Sequence, residues 1–265
     1  MTASGLIMTA FANRSSRREP ATRRPIRPAD RVRLLLAACT MAAITLGAGI
    51  ARAQTTYTWN VSGTGLWTTG SSWTPTRNSP ASNDILVING STTPTPTLTN
   101  VPTQTIGRLR VINNANATLT TTTSAKTVTI GSATPPSLEI LAGSTLTLSG
   151  STAIVLSIAS GANASISGNM TITGGAHQLL GTTANQIVFN SGAVFTSGAS
   201  TTSNPFGNSG TANVVTFASG ATYTHAAGLD PFGLAAPSAK IVFQTGSTAI
   251  FRTNSGYNAS GRIVL

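Results

Sequence analysis

From Gln54 onward the apolar residues fall into short alternations rather than helical stripes. Five segments share one pattern, two apolar residues one position apart and a glycine three residues after the second: Leu138-x-Ile140 with Gly143, Leu156-x-Ile158 with Gly161, Ile187-x-Phe189 with Gly192, Val215-x-Phe217 with Gly220, and Ile241-x-Phe243 with Gly246. Alternation turns both apolar side chains to one face of an extended chain, and the glycine permits a tight turn behind them. A second short strand follows in most of them, as in Leu146-x-Leu148, Ala193-x-Phe195 and Ala221-x-Tyr223. The glycine intervals of 18, 31, 28 and 26 residues lie in the range of stacked structural repeats. Repeats made of strands and turns alone predict an all-β fold, a right-handed parallel β-helix, or β-solenoid. Phe189, Phe217 and Phe243 are then expected at equivalent inward positions of successive coils, with Thr216 facing out.

Asn204-Pro205-Phe206-Gly207 and Asp230-Pro231-Phe232-Gly233 recur 26 residues apart, in step with the repeat, and Asn or Asp ahead of Pro is turn chemistry. No run has helical periodicity with caps, and the many Thr, Gly and β-branched residues disfavour helix. Residues 54–131 fit the pattern less well, although 85–88, 109–112 and 128–130 are strand-like. They are expected to form an amino-terminal capping region, with the solenoid repeats over 132–265. Ile263-x-Leu265 opens the pattern again, which reads as a chain cut within a repeat, the amino-terminal part of a larger protein.

Ahead of the repeats, an Arg-rich stretch ends at Arg33, an apolar run covers 34–50, and Ala51-Arg52-Ala53 carries small residues at the two positions a signal peptidase reads. This order predicts a secretory signal over 1–53 with cleavage between Ala53 and Gln54. A membrane anchor fits less well, because the run is short, rich in Ala and Gly and followed by no charge cluster. Leu36-Ala37-Ala38-Cys39 resembles a lipobox, but most of the apolar run follows the Cys. Cys39 is the single cysteine of the chain, so the mature protein is expected to hold no disulfide or thiolate metal site.

Composition changes the picture in one respect. The formal net charge of +11 looks like a nucleic-acid signal, yet nine of the 16 basic residues lie in the first 53, and only 8% of the chain is charged. Beyond residue 53 no Lys/Arg cluster remains to track phosphates, and no nucleic-acid partner is expected.

Thr58-Trp59-Asn60, Gly65-Leu66-Trp67, Ser72-Trp73-Thr74-Pro75 and Pro80-Ala81-Ser82-Asn83-Asp84, followed by Ile85-Leu86-Val87-Ile88 and by Val101-Pro102-Thr103-Gln104-Thr105-Ile106-Gly107, carry a resemblance. This stretch, about 57–112, resembles the opening of secreted bacterial surface proteins with parallel β-helix or autotransporter-type β-strand repeats, including type IX secretion substrates. The resemblance implies a secreted or cell-surface structural or adhesive scaffold. Its partners would be extracellular polysaccharide or cell-surface components. The chain departs from such proteins in lacking a carboxy-terminal sorting module or membrane barrel.

Candidate chemistry is thin. Parallel β-helices also serve polysaccharide-degrading enzymes, which need converging carboxylates, but the mature chain has three acids, Asp84, Glu139 and Asp230, far apart in sequence. Glu139, between two inward apolar residues, is expected to point outward, and Asp230 to sit in a turn. No catalytic residue, cofactor or metal site is expected, and an alternative reading makes the chain the non-catalytic part of a β-helix polysaccharide-degrading enzyme whose catalytic coils lie beyond Leu265. His177 and His225 lack companions at ligand spacing and are expected on the surface beside turns. Thr-x-Thr pairs begin at Thr127, Thr145 and Thr171; a flat threonine array could bind ordered water or ice, but spacings of 18 and 26 residues are uneven and predict only a solvated strand face. Trp59, Trp67 and Trp73 are all the tryptophans of the chain, and they cluster in the first strand-like segments after Gln54. They form either a plug over the open end of the solenoid, the preferred expectation, or an aromatic binding platform for sugar rings, the basis of an alternative carbohydrate-binding function.

Overall fold

Parallel strands stacked coil on coil make up almost all of the regular secondary structure of the computed structural model, which describes residues 54–131 and 135–252. The expected signal segment with Ala51 and Ala53, Cys39, and the terminal Ile263-x-Leu265 lie outside the described residues. Coil one holds β1 (Thr56–Trp59), β2 (Thr64–Leu66) and β3 (Trp73–Thr74). Coil two holds β4 (Ile85–Asn89), β5 (Thr97–Thr99) and β6 (Gln104–Ile106); coil three holds β7 (Arg108–Ile112), β8 (Asn116–Leu119) and β9 (Lys126–Ile130). Coils four and five run through β10 (Leu138–Ile140), β11 (Thr145–Ser149), β12 (Ile154–Ile158), β13 (Ala164–Ile166), β14 (Asn169–Thr173) and β15 (Gln178–Leu180). The remaining coils contribute two strands each: β16 (Ile187–Phe189) and β17 (Val194–Ser197), β18 (Val215–Phe217) and β19 (Thr222–His225), β20 (Ile241–Phe243) and β21 (Thr248–Phe251). One 3-10 turn, Gly70–Ser72, is the only helical segment among the described residues.

The strands assemble into a β-solenoid of three sheets, with nine, eight and four strands. Every strand pair is parallel except β1 with β3, which closes the outer edge of the nine-stranded sheet antiparallel. One inward row of that sheet reads Ile88, Val111, Ile140, Ile166, Phe189, Phe217, Phe243, one residue per coil. The three phenylalanines thus occupy successive rungs as the alternation predicts. Sequence intervals along the row are unequal, that from Ile88 to Val111 being shorter than that from Val111 to Ile140, and the excess is taken up at the corners.

Two expectations shift. The regular sheet register already links β1, β4, β7 and β10, so coils begin well ahead of residue 132. The third coil escapes the glycine pattern because Asn114, at φ 61°, takes the left-handed turn position that Gly143 fills one coil later at 79°; Asn is the residue best able to stand in for Gly there. Leu156-x-Ile158 also differs from its four companions. It lies in β12 of the four-stranded sheet, while β13 with Ile166 is the rung equivalent to Ile140. The apolar-x-apolar-turn motif is local and serves more than one corner of a coil, and this mixing of corners produced the short interval of 18.

The four-stranded sheet stops at β15, where the two proline turns take over. Leu179 N–H donates to Pro205 O at 2.9 Å, Gln178 Nε2 to Asn204 O at 2.9 Å, and Asn204 Nδ2 to Asp230 O at 2.7 Å. Proline has no N–H to continue the ladder, so stacking passes to side-chain amides, and Phe206 and Phe232 turn into the core, each 1% exposed or less.

Candidate functional site: the tryptophan end and the outer faces

Trp59 ends β1 and Trp73 begins β3, paired across the antiparallel edge. Alternation sends both indoles inward, where Trp73 meets Trp59 at 5.0 Å and Trp67 at 5.4 Å between ring centroids, both edge to face at 80°. Trp59 Nε1 donates to Val61 O (2.8 Å) and Trp73 Nε1 to Trp67 O (3.0 Å). A Cβ on Gly65 would come within 2.7 Å of the Trp59 ring, so glycine lets β2 lie across that indole. The three rings are 1% exposed or less and offer no face to a sugar. Trp59, Trp67 and Trp73 thus add their large apolar area to the buried core.

Behind the indoles, Arg77 Nε and Asp84 Oδ2 form a buried ion pair at 2.7 Å. The same oxygen accepts the Ala81 N–H at 2.9 Å, and the Arg77 guanidinium lies 5.8 Å from the Tyr57 ring centre. Residues 77–84 are thereby tied to β1, a contact set that no sequence signal announced.

The other acids are also engaged. Glu139 points outward from β10 as expected and accepts from Arg110 Nε at 2.6 Å and Arg108 Nη2 at 3.0 Å on the neighbouring strand. Asp230 Oδ1 accepts the Phe232 N–H at 2.9 Å, a turn contact as expected. Among the described residues no three His, Cys, Asp or Glu side chains come together, and no helix is long and apolar enough to cross a membrane. An open cleft of about 270 Å³ between the eight- and four-stranded sheets is lined by Thr68, Asn100, Pro102, Thr121, Thr123 and Lys126, among others, with Lys126 its only ionisable group.

Both histidines are buried, contrary to their expected place on the surface. His225 follows Tyr223 by two, so the alternation of β19 turns it inward, between Ser197 and Phe251 of the adjoining rungs. Its Nδ1 lies 2.8 Å from the Tyr223 hydroxyl. His177 Nδ1 accepts the Ile154 N–H at 3.0 Å, which leaves the proton on Nε2 to bond Gly150 O at 2.9 Å. Burial lowers the pKa of both below the usual 6.5, opposed by backbone hydrogen bonds at His177 and by the Asp230 charge at His225. The inward signal for His225 was present in the period of two; His177 precedes a strand and had none.

Comparison with protein-family models, with curated proteins and with solved structures returns no match.

Proposed function

We propose that the mature chain is a secreted or cell-surface scaffold with a structural or adhesive role, acting without catalysis or cofactor. The observation that carries this reading is the engagement of every acid of the described chain in holding the fold: Asp84 on Arg77, Glu139 on Arg108 and Arg110, and Asp230 on the Phe232 N–H. General acid-base work needs a carboxyl group free to exchange a proton with a bound substrate. A stacked solenoid with few charges supports a stalk or display role, and the order of Arg-rich, apolar and small-residue segments before Gln54 supports export.

The test is expression of the full chain in a bacterial host with a general secretory pathway, followed by fractionation and intact-mass measurement. The expected species starts at Gln54 and is found outside the inner membrane, and cells displaying it gain retention on polysaccharide or host-surface coatings. An unprocessed chain held in the cytosol, or one acylated on Cys39, overturns the export part of the reading. Turnover of a polysaccharide by the purified protein overturns the scaffold part.

A further inference from the structure

The strand register aligns Thr64, Thr97, Thr118, Thr147, Thr171, Thr196 and Thr224 in one row across the outer face of the eight-stranded sheet, one threonine on each of seven consecutive rungs. Ile250 follows on the last. The uneven spacing read from the sequence has a simple cause: Thr127 lies in β9 of the four-stranded sheet, whereas Thr145 and Thr171 lie in the eight-stranded one. The row is not a by-product of composition. Threonine is the commonest residue from Gln54 onward, yet the matching outward row of the nine-stranded sheet, Thr58, Val87, Arg110, Glu139, Ser165, Val188, Thr216 and Val242, holds only two.

Parallel strands stand about 4.7–4.9 Å apart, and residues two apart on a strand are separated by roughly 6.6 Å. The row thus extends roughly 29 Å, flanked on either side by Thr145, Thr222, Thr99 and Thr173 among other uncharged residues. Threonine is restricted at χ1, so successive rungs present hydroxyl and methyl in a repeated arrangement at little further entropic cost. Among the described residues, flanking hydroxyls bond within the chain, as Thr99 Oγ1 does to Gly65 O and Thr173 Oγ1 to Ala199 O. The hydroxyls of the central row do not.

The chemistry of this face selects its occupant. It carries no charge, which removes ionic polymers, and it carries no aromatic ring on which a sugar could stack. A single small molecule would touch only two or three rungs. What remains is a ligand that repeats in two dimensions and is recognised by hydroxyls and methyls alone. Along the row the strand spacing is close to one repeat of the oxygen lattice of hexagonal ice. We propose that the threonine row on the outer face of the eight-stranded sheet is an ice-binding surface. The row orders water into the crystal pattern and anchors the protein to ice, independently of where the scaffold is displayed.

The experiment measures the gap between melting and freezing of a single ice crystal in solutions of the full chain, together with partition of the protein into a slowly growing ice front. Wild type is expected to open a gap and enter the ice. Thr147→Tyr, at the middle of the row, and Thr171→Lys are each expected to lose most of both, with unchanged circular dichroism and melting. Thr129→Tyr, on the outer face of the four-stranded sheet, is expected to keep both. Exclusion of wild type from ice, equal effects of Thr147→Tyr and Thr129→Tyr, or retention on crystalline cellulose or chitin in place of ice would overturn the proposal.

Discussion

At the amino-terminal end of the solenoid three indoles meet edge to face at 80°, whereas in the later coils Phe189 and Phe217 stack 4.5 Å apart with planes 2° apart, and Phe217 and Phe243 follow at 5.2 Å and 24°. A second stack, Phe195 on Tyr223, runs beside the first at 5.7 Å and 7°. The later rings sit on paired strands, so register gives successive residues the same backbone and the same rotamer, and offset stacking follows. At the tryptophan end no earlier rung among the described residues supplies a template, and the space is filled by rings of unequal orientation. Polar groups are drawn in with them: the Arg77–Asp84 pair is buried there, and Trp67 Nε1 and Arg77 Nη2 have no hydrogen-bond partner among the described residues. Repetition therefore stacks like ring on like ring, while the tryptophan end fills its space with particular side chains.

The largest expected effect tests that contrast directly. Phe217 touches Phe189, Phe206, Tyr223 and Phe243, so Phe217→Ala should cost about 3–5 kcal/mol. Loss is expected to pass to the coils on both sides, because each repeat is held by its neighbours. Trp73→Ala removes contacts to two indoles at a terminal coil and should cost about 3 kcal/mol, with amide exchange rising first in β1 and β3. Urea unfolding with hydrogen-exchange mapping checks both. If Trp73→Ala instead releases β16, β18 and β20 first, the two regions are not energetically separate.

A smaller effect separates the ends by pH. Both histidines belong to the middle and later coils, and burial holds their pKa below 6.5 in the folded protein. The unfolded chain therefore binds more protons as pH falls through 6.5, and stability falls with it, by at most about 1.4 kcal/mol per pH unit for each histidine. The stabilisation is complete above the unfolded pKa and has gone once pH passes below the folded one. The Asp230 charge opposes the shift at His225, and at His177 the Gly150 carbonyl that accepts from Nε2 opposes it. The unfolding midpoint should drop between pH 7 and 5, with exchange rising first in β15 and β19 and only later in β1 and β3. A midpoint flat over that window would show that neither ring is held neutral.

What was legible in the sequence follows the same division. The Leu/Ile/Phe alternation and the glycines at 143, 192, 220 and 246 reveal the rungs because each is repeated. The grouping of Leu156 with the rungs of another sheet and the setting aside of the threonine row share one cause, since a local motif does not state which of three sheets it belongs to; the third coil was overlooked because Asn114 stands where a later coil has Gly143. The Arg77–Asp84 pair and the burial of His177 arise from contacts between segments with no period at all. Trp59, Trp67 and Trp73 stood out as a cluster, but only packing shows that no ring face is left for a ligand.

The smallest effect concerns the residue next to the phenylalanine stack. Thr216 was expected to face solvent, and it does lie on the outward side of β18, yet it is only 5% exposed and donates from Oγ1 to Asn185 Oδ1 at 2.9 Å. Thr216→Ala removes one hydrogen bond, about 0.5–1.5 kcal/mol, and leaves Asn185, itself exposed, able to turn its amide to water, so no buried group is orphaned. Thr216→Val keeps the methyl contact and isolates the hydroxyl at the lower end of that range. Urea midpoints for these two variants beside Phe217→Ala give the inward and outward worth of adjacent positions on one strand. A loss at Thr216 equal to that at Phe217 would mean that the core of these coils extends through the nine-stranded sheet to its outer side, and the ladder of rings would no longer be what distinguishes them from the tryptophan end.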